Sequence, residues 1–426
     1  MLSQQFNQLI YQYIGLLFLI LFLMGQIIGW RLWLRRAGQK WSRRLVHAVF
    51  IIFNLGWAFT VSTLYFGDNL TDFTWTWIGR PSVSWQTVYL LGILPLGLAG
   101  SIAAGLIMKI KRLTAGKSAV PEAGGPDGRE GVDQRRRDFF KNLGTVGCGV
   151  VLGTCSYGVV RQGRPPTVDR LTLKVSGLPA ELDGFTIAHI TDIHLGLWSS
   201  RGELDKVLAV AAAEKPDLVA FTGDLVDRSA DFAKLYHGPL KRLAQVPHGV
   251  WGVLGNHDHY TNDPALVARI LTDGGLRMMM DEQVHIPGLP LSLIGLDDQG
   301  VHHSWMGSGR PSLAHSDPDA LNFDLVRGPA PRPGDFTILL NHRPEGFAQA
   351  ARHGCRLYLA GHTHGGQYQF PGQDQANLAA AFYKYSSGLY HEHAAWINVS
   401  RGVAAVGVPF RLWAWPEVSL IKLTRG

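Results

Sequence analysis

The chain has 426 residues and a formal net charge of +7, with 17% charged and 46% hydrophobic residues; the charged share is below the roughly one quarter usual in soluble proteins. The positive excess is confined: residues 31–45 hold six Lys/Arg and no acid, residues 109–141 hold nine against five acids, and residues 142–426 are net −2. A basic nucleic-acid surface on the large C-terminal part is thereby excluded, and with Cys355 as its one cysteine so are an internal disulfide and a thiolate metal cage.

The first thirty residues carry no charged side chain, and residues 13–30, YIGLLFLILFLMGQIIGW, are long enough to cross a bilayer. Residues 46–66 and 81–108 form two further apolar runs, both without a charged side chain. Residues 1–112 are therefore expected to form a membrane region of three helices. These runs carry no interior acid or base that would mark an ion path. The basic loops 31–45 and 109–141 are expected on the cytoplasmic side.

Residues 113–134 read as a Gly/Pro-rich cytoplasmic linker. Residues 135–141 read RRRDFFK and precede a fourth uncharged run that contains Cys148 and Cys155. Paired arginines, aromatics and a lysine before a modest apolar stretch resemble a twin-arginine export signal. A basic anchor before a fourth span is the alternative. Residues 135–163 are assigned to this signal or span, and either reading puts the C-terminal domain outside the cytoplasm. If the run only lies on the membrane, that domain stays inside.

From residue 168 to 426 the pattern is that of an α/β domain. Strands are predicted at 171–175 and 185–191, and a helix over 202–214 that stops at Pro216. DLVAFTG, GVWGVLG, FTILLN and RLYLAG are further short apolar runs, each ending in glycine or a polar residue. Ligands of such sheets bind beyond the carboxyl ends of the strands. Those ends carry Asp192 and His194, then Asp224 and Asp227, then Asn256, His257 and Asp258, then His342, and last His362 and His364.

Imidazole, carboxylate and amide donors without thiolate suit Mn, Fe, Zn or Co. Two such ions about 3.5–4 Å apart share a bridging carboxylate, activate water and attack phosphorus in line. Asp224, in the middle cluster, is the natural bridge.

In order, the clusters read D-x-H, G-D-x-x-D, G-N-H-D, H and G-H-x-H. This series resembles the signature of the calcineurin-like metallophosphoesterases, and LPAELDGFTIAHITDIHLG, GHTHGGQ, NVSRG, PFR and PEVSLIKL resemble a membrane-associated bacterial branch of that family. Its relatives include transmembrane proteins with a metallophosphoesterase domain and UDP-2,3-diacylglucosamine pyrophosphatases. The resemblance implies a four-layer α/β/β/α sandwich. It implies one metal on Asp192, His194, Asp224 and His364, and a second on Asp224, Asn256, His342 and His362. His257 would protonate the leaving oxygen, Asp227 would orient His257, and Asp258 would serve the site or a turn.

The expected activity is hydrolysis of a phosphoester or pyrophosphate bond, diesters included, by metal-bridging hydroxide, with manganese among the candidate ions. The expected substrate is lipid-linked or belongs to the cell envelope. The expected setting is the bacterial inner membrane, multi-pass, with the catalytic domain on the periplasmic face. The lipid bilayer and, during export, the twin-arginine translocase are the expected partners, and nucleic acid is not one. The alternatives are a pyrophosphatase on the cytoplasmic face, with UDP-2,3-diacylglucosamine as its type of substrate, and a non-catalytic metal-binding scaffold. His259, Arg343 and Arg401 stand as substrate contacts or structural pairs. His302, His303, His391 and His393 are read as surface histidines. Phe410, Trp413 and Trp415 meet lipid or close the core.

Overall fold

The computed structural model describes residues 40–66, 160–196, 199–227, 229–261, 263–298, 321–392, 394–406 and 411–426, with scattered positions before residue 160. The described residues fall into two compact units, one within residues 1–157 and one from Gly158 onward. In the first, α1 (Lys40–Phe66) carries the second apolar run and leaves Ile51, Ile52 and Leu55 exposed. Among the described residues no helix is long and apolar enough to cross a membrane. The first, third and fourth apolar runs lie almost entirely outside the described residues, as do the linker and the RRRDFFK segment.

The second unit is built on two six-stranded sheets. In chain order its elements are β1 (Thr167–Val175), β2 (Thr186–Ile190), α2 (Arg201–Ala213), β3 (Leu218–Thr222), β4 (Val250–Val253), α3 (Asn256–His259), α4 (Pro264–Asp273), β5 (Arg277–Met278), β6 (Glu282–His285), β7 (Leu291–Gly295), β8 (Phe336–Leu340), α5 (Phe347–Arg352), β9 (Leu357–Ala360), β10 (Gln369–Phe370), β11 (Gln373–Asn377), β12 (Gly388–Glu392), β13 (Ala395–Val399) and β14 (Glu417–Arg425). The first sheet has the order β1-β14-β2-β3-β4-β5 and the second β12-β13-β9-β8-β7-β6. β2, β3, β4 and β5 run parallel, as do β7, β8, β9 and β13. β14 lies antiparallel to β2 and parallel to β1, so it fills the second position of the first sheet between them.

The alternation of side chains makes the layers. From β3, Leu218 and Ala220 point between the sheets with Leu173, Ile187, Leu293, Ile338, Leu340 and Leu359. Val219 and Phe221 point the other way, against Leu204, Val207 and Leu208 of α2 and Ile270 and Leu271 of α4. On the far side, Leu339, Tyr358 and Ile397 pack on Phe347 and Ala350 of α5. The result is helix, sheet, sheet, helix, the layering that the family resemblance implies. Strands covered on both faces must be apolar throughout, and for this reason LVAFT and FTILL have no polar-out periodicity. A side chain such as Leu340, fully buried, contributes about 1.5–3 kcal/mol. α2 starts at a capping box in which Ser200 accepts from the Glu203 N–H and Glu203 accepts from the Ser200 N–H.

Candidate dinuclear metal centre

Because β2, β3 and β4 are parallel in one sheet and β8 and β9 in the other, their carboxyl ends open onto a common rim. The loops are tied across the two sheets. The His342 Nδ1–H, from β8, donates to the Thr222 carbonyl of β3 at 2.8 Å. The His362 N–H, after β9, donates to both oxygens of Asp192, after β2, at 3.1 and 3.2 Å. Within the first sheet the His194 N–H donates to the Asp224 carbonyl at 2.9 Å, and the His257 N–H to Asp224 Oδ1 at 2.8 Å.

Eight of the nine expected site residues fall into three groups; the ninth, Asn256, follows β4 next to His257, with its Oδ1 buried and unpartnered. Asp192, His194, Asp224 and His364 form one group, and Asp224, His342 and His362 a second, each with donor atoms within 4.8 Å of one another. Asp224 is common to both. Its Oδ2 lies 3.1 Å from His342 Nε2 and 3.4 Å from His194 Nε2. His364 Nε2 is 3.3 Å from Asp192 Oδ1, and His362 Nδ1 is 3.2 Å from His342 Nε2. His194, Asp227 and His257 form a third group, with His257 Nδ1 3.3 Å from Asp227 Oδ2.

Both rings are also held from outside the cluster. The Thr222 carbonyl holds the His342 proton on Nδ1, the arrangement by which a backbone carbonyl orients a metal-binding histidine. His364 Nδ1 lies between the Ala404 carbonyl at 3.1 Å and the Arg411 Nη2 donor at 3.0 Å. Both rings turn Nε2 inward, toward Asp224 and Asp192.

The electrostatics suit cations. Burial alone would raise the Asp192 and Asp224 carboxyls, but the surrounding histidines outweigh it and hold both well below the usual range. Burial opposes the charge on His342, yet the Asp224 carboxylate pushes it up to about 10. Burial lowers His362 and His364 to about 3, helped by neighbouring positive charge, so both are neutral. Burial also opposes the charge on His257, but its contact with Asp227 raises it above the ordinary imidazole value.

The cluster also leaves buried donor atoms orphaned. Both ring nitrogens of His194 and Oδ1 of Asn256 have no hydrogen-bond partner. Asn256 turns its Nδ2 outward to the Tyr260 hydroxyl, 3.2 Å away, which leaves Oδ1 for the site. An unpartnered buried polar atom costs about 1–3 kcal/mol. Two ionised carboxylates ringed by imidazoles with inward nitrogens, and an amide oxygen left open, fit two divalent cations better than any hydrogen-bonded alternative.

The backbone is bent to make this fit. Asp192, His194, Asp224, His362 and His364 all have positive φ, between 46° and 67°. Left-handed backbone is uncommon outside glycine and costs about 1–3 kcal/mol where it is held.

The remaining residues named from sequence have varied roles. Asp258 accepts from the N–H groups of Leu225, Val226 and Gly255, so it ties the β3 and β4 loops together. His259 is paired with Asp297 at 2.8 Å. Arg401 is structural: it is clasped to Glu417 and bonds Asp374 at 3.1 Å. Arg343 is held at Nε by Asp298, with Nη1 3.1 Å from His362 Nε2. His391 packs on the Trp396 ring, and Trp413 is exposed. Trp415 lies under the Arg161 guanidinium, 5.4 Å from its ring centroid. His302, His303, His393 and Phe410 fall outside the described residues.

Two neighbours were not anticipated. Arg411 is fully buried, and burial lowers it to about 10. It donates to the His364 carbonyl at 3.2 Å, the Ala414 carbonyl at 3.1 Å and the Ala404 carbonyl. Tyr383 brings its hydroxyl to 3.3 Å from His362 Nε2. An arginine inside the apolar run VGVPFRLWAW was the available signal for the first; nothing in sequence marked the second.

Comparison with known proteins agrees with this geometry. A family model described as calcineurin-like phosphoesterase matches residues 185–366. An uncharacterised metallophosphoesterase of Helicobacter pylori is 30% identical over 291 residues, covering 68% of this chain and 72% of that protein. The uncharacterised metallophosphoesterase YkuE of Bacillus subtilis is 29% identical over 299 residues, 68% of this chain and 97% of that one. A transmembrane protein with metallophosphoesterase domain from Bos taurus is 29% identical over 273 residues, 62% of this chain and 59% of its own length.

Proposed function

The chain belongs to the calcineurin-like phosphoesterases and is a hydrolase of phosphoester bonds, and from that premise we propose that it is a dinuclear-metal phosphoesterase anchored in a membrane and acting on a lipid-linked or envelope phosphoester or diphosphate. The observation that carries the reading is the convergence of two ligand groups on Asp224, with buried donor atoms left open.

Asp192, His194, Asp224 and His364 would hold one divalent ion, and Asp224, Asn256, His342 and His362 the other. When bound, such ions supply Lewis acidity toward the phosphoryl group and acidify water. The chain's own groups do the rest. The Asp227 carboxylate, 3.3 Å from His257 Nδ1, favours the charged imidazole, and Nε2 is the atom that would deliver a proton to the departing oxygen. The Thr222 carbonyl keeps His342 in the ligating tautomer, and the Ala404 carbonyl and Arg411 hold the His364 ring with Nε2 inward.

Three features of the sequence and one of the structure support the membrane setting. The uncharged runs at 1–30, 46–66 and 81–108 are followed in turn by a basic loop, a loop holding Asp68, Asp72 and Arg80, and a second basic loop, the charge alternation of a multi-span region. The RRRDFFK motif precedes a fourth apolar run. The basic charge stops where the hydrolase unit begins. The helix α1 exposes Ile51, Ile52 and Leu55, side chains that water does not favour. On this reading residues 1–112 anchor the chain, residues 135–163 act as signal or fourth span, and the catalytic unit faces outward.

Mn²⁺-dependent hydrolysis by wild type, abolished in Asp224→Asn and reduced in His257→Ala, is the expected result. Equal, low activity in all three would favour a scaffold. Reporter fusions at the C-terminus, active only inside or only outside the cell, test the topology. A cytoplasmic reporter signal would bring the pyrophosphatase alternative to the front.

A further inference from the structure

Beyond residue 160, five large apolar side chains are strongly exposed among the described residues: Leu325, Phe370, Leu378, Phe382 and Trp413. Four of the five sit on two segments that are fastened to the metal cluster. The first segment leaves the cluster at His364, forms the β10–β11 hairpin, and returns at Tyr383, whose hydroxyl meets His362. Phe370, Leu378 and Phe382 are on it and are 69%, 60% and 85% exposed. The second segment runs from Arg411, which grips the His364 carbonyl, to Trp415 and carries Trp413, 40% exposed.

The backbone joins the two. The Gln369 N–H donates to the Leu412 carbonyl at 3.0 Å, the Leu412 N–H to Gln367 at 2.8 Å, and the Leu378 N–H to Tyr368 at 3.1 Å. Trp413 also has φ of 61°, a strained backbone for a bulky residue that leaves its indole exposed. Exposed apolar side chains are ordinary when scattered singly; gathered beside a reactive centre they mark an interaction site.

We propose that this rim is a seat for the surface of a phospholipid bilayer, with Phe370, Leu378, Phe382 and Trp413 inserted at the boundary of headgroups and acyl chains. The inference rests on the phosphoesterase reading and deepens it, because the substrate becomes a phosphoester held in that bilayer. The four are carried by a hairpin and a short strap bonded to each other, and a deformable lipid surface accommodates side chains presented by two such segments. Phenylalanine, leucine and tryptophan are also the residues that interfacial anchors present to lipid. Because the same segments supply His364 and abut His362, insertion brings lipid phosphates to the mouth of the metal cluster.

The test uses the full chain reconstituted in vesicles of phosphatidylglycerol and phosphatidylethanolamine. Benzoylphenylalanine is placed at position 382 and, as a control away from both segments, at position 325. Irradiation is expected to give lipid adducts from 382 and not from 325. Adducts from 382 to protein, whether a second copy or the chain's own residues, would overturn the proposal, as would equal lipid labelling at both positions or none at either.

Turnover is read in parallel on two nitrophenyl diesters, one soluble (bis-p-nitrophenyl phosphate) and one a phosphatidyl nitrophenol in the vesicles. In both, water adds hydroxyl to phosphorus, the P–O bond to nitrophenol breaks, and the proton goes to the leaving oxygen. The combined variant Phe370→Ser, Leu378→Ser, Phe382→Ser should keep soluble turnover and bound manganese while losing about tenfold on the vesicle substrate. Equal loss on both substrates, or on neither, would refute the seat. Failure of wild type on the soluble diester would refute the phosphoesterase reading instead, and the cross-link would still decide whether lipid meets the rim.

Discussion

Replacing Gly361 by alanine tests the site with a single methyl group. Gly361 follows β9 and precedes the ligand candidate His362. A Cβ there would lie 2.2 Å from Asp192 Oδ2 and 2.2 Å from Thr191 Oγ1, where ordinary contact begins at 3.4 Å. The overlap is therefore 1.2 Å with each. The backbone at Gly361 is not left-handed, so alanine meets no conformational penalty of its own and the effect is one of crowding. Thr191 is pinned by its hydroxyl bond to the Thr222 carbonyl at 2.9 Å. The carboxylate of Asp192 must then swing away from His364 Nε2 and from the His362 N–H that it accepts. Overpacking of this size costs about 1–3 kcal/mol, and a reacting group misplaced by about 1 Å loses on the order of a hundredfold in rate. Metal content after dialysis, the Mn²⁺ concentration giving half-maximal hydrolysis, and the melting temperature should all be measured. The expected outcome is a weakened metal requirement curve and a fall in turnover larger than the fall in stability explains. A variant that retains wild-type manganese affinity and turnover would refute the placement of Asp192 in the cluster.

Three further outcomes rest on individual contacts of the site and its surroundings. Asp227 raises His257 above its ordinary value, so Asp227→Asn lowers the pH at which His257 loses its proton; the high-pH decline of kcat/KM should move toward lower pH than in wild type, and an unmoved limb would remove His257 from proton delivery. Arg401→Met leaves Glu417 buried without its cation and should cost about 3–5 kcal/mol in denaturant unfolding, with turnover per folded molecule kept; a large loss of turnover would make Arg401 a substrate contact after all. Chelation should lower the melting temperature, since an ion at a hundred times its dissociation constant contributes about 2.7 kcal/mol per site; a melting temperature indifferent to EDTA and to added Mn²⁺ would contradict the cation fit.

The legibility of this chain was uneven for physical reasons. The strands that carry the site were visible because burial on both faces forces unbroken apolar runs, and each run ended in a chemically distinctive residue. Asp192, Asp224, His342 and His364 were therefore readable by position. The edge elements were not: β6, β11 and β12 are partly exposed, read EQVH, QDQAN and GLYHE, and lack any period that separates them from loops. β14 was visible only as a resemblance, because its membership of the first sheet depends on pairing with β1 across about 250 residues. Arg411 was missed because a buried arginine inside an apolar run looks like an interruption until the carbonyls it serves are known. Asp258 could not be separated from the metal ligands by type, since a carboxylate that binds N–H groups and one that binds ions are the same letter.

The left-handed backbone at Asp192, His194, Asp224, His362 and His364 has a consequence for the life of the protein in the cell. Five contorted positions, each opposed by local sterics, are a standing load on the domain that cations held at the site would offset. A cell starved of transition metal should accordingly lose this hydrolase to proteolysis before it loses its message, so that protein abundance tracks metal supply with no dedicated regulator. The same geometry implies that evolution toward a sturdier fold runs through glycine or asparagine at these places, and so through the loss of the chemistry.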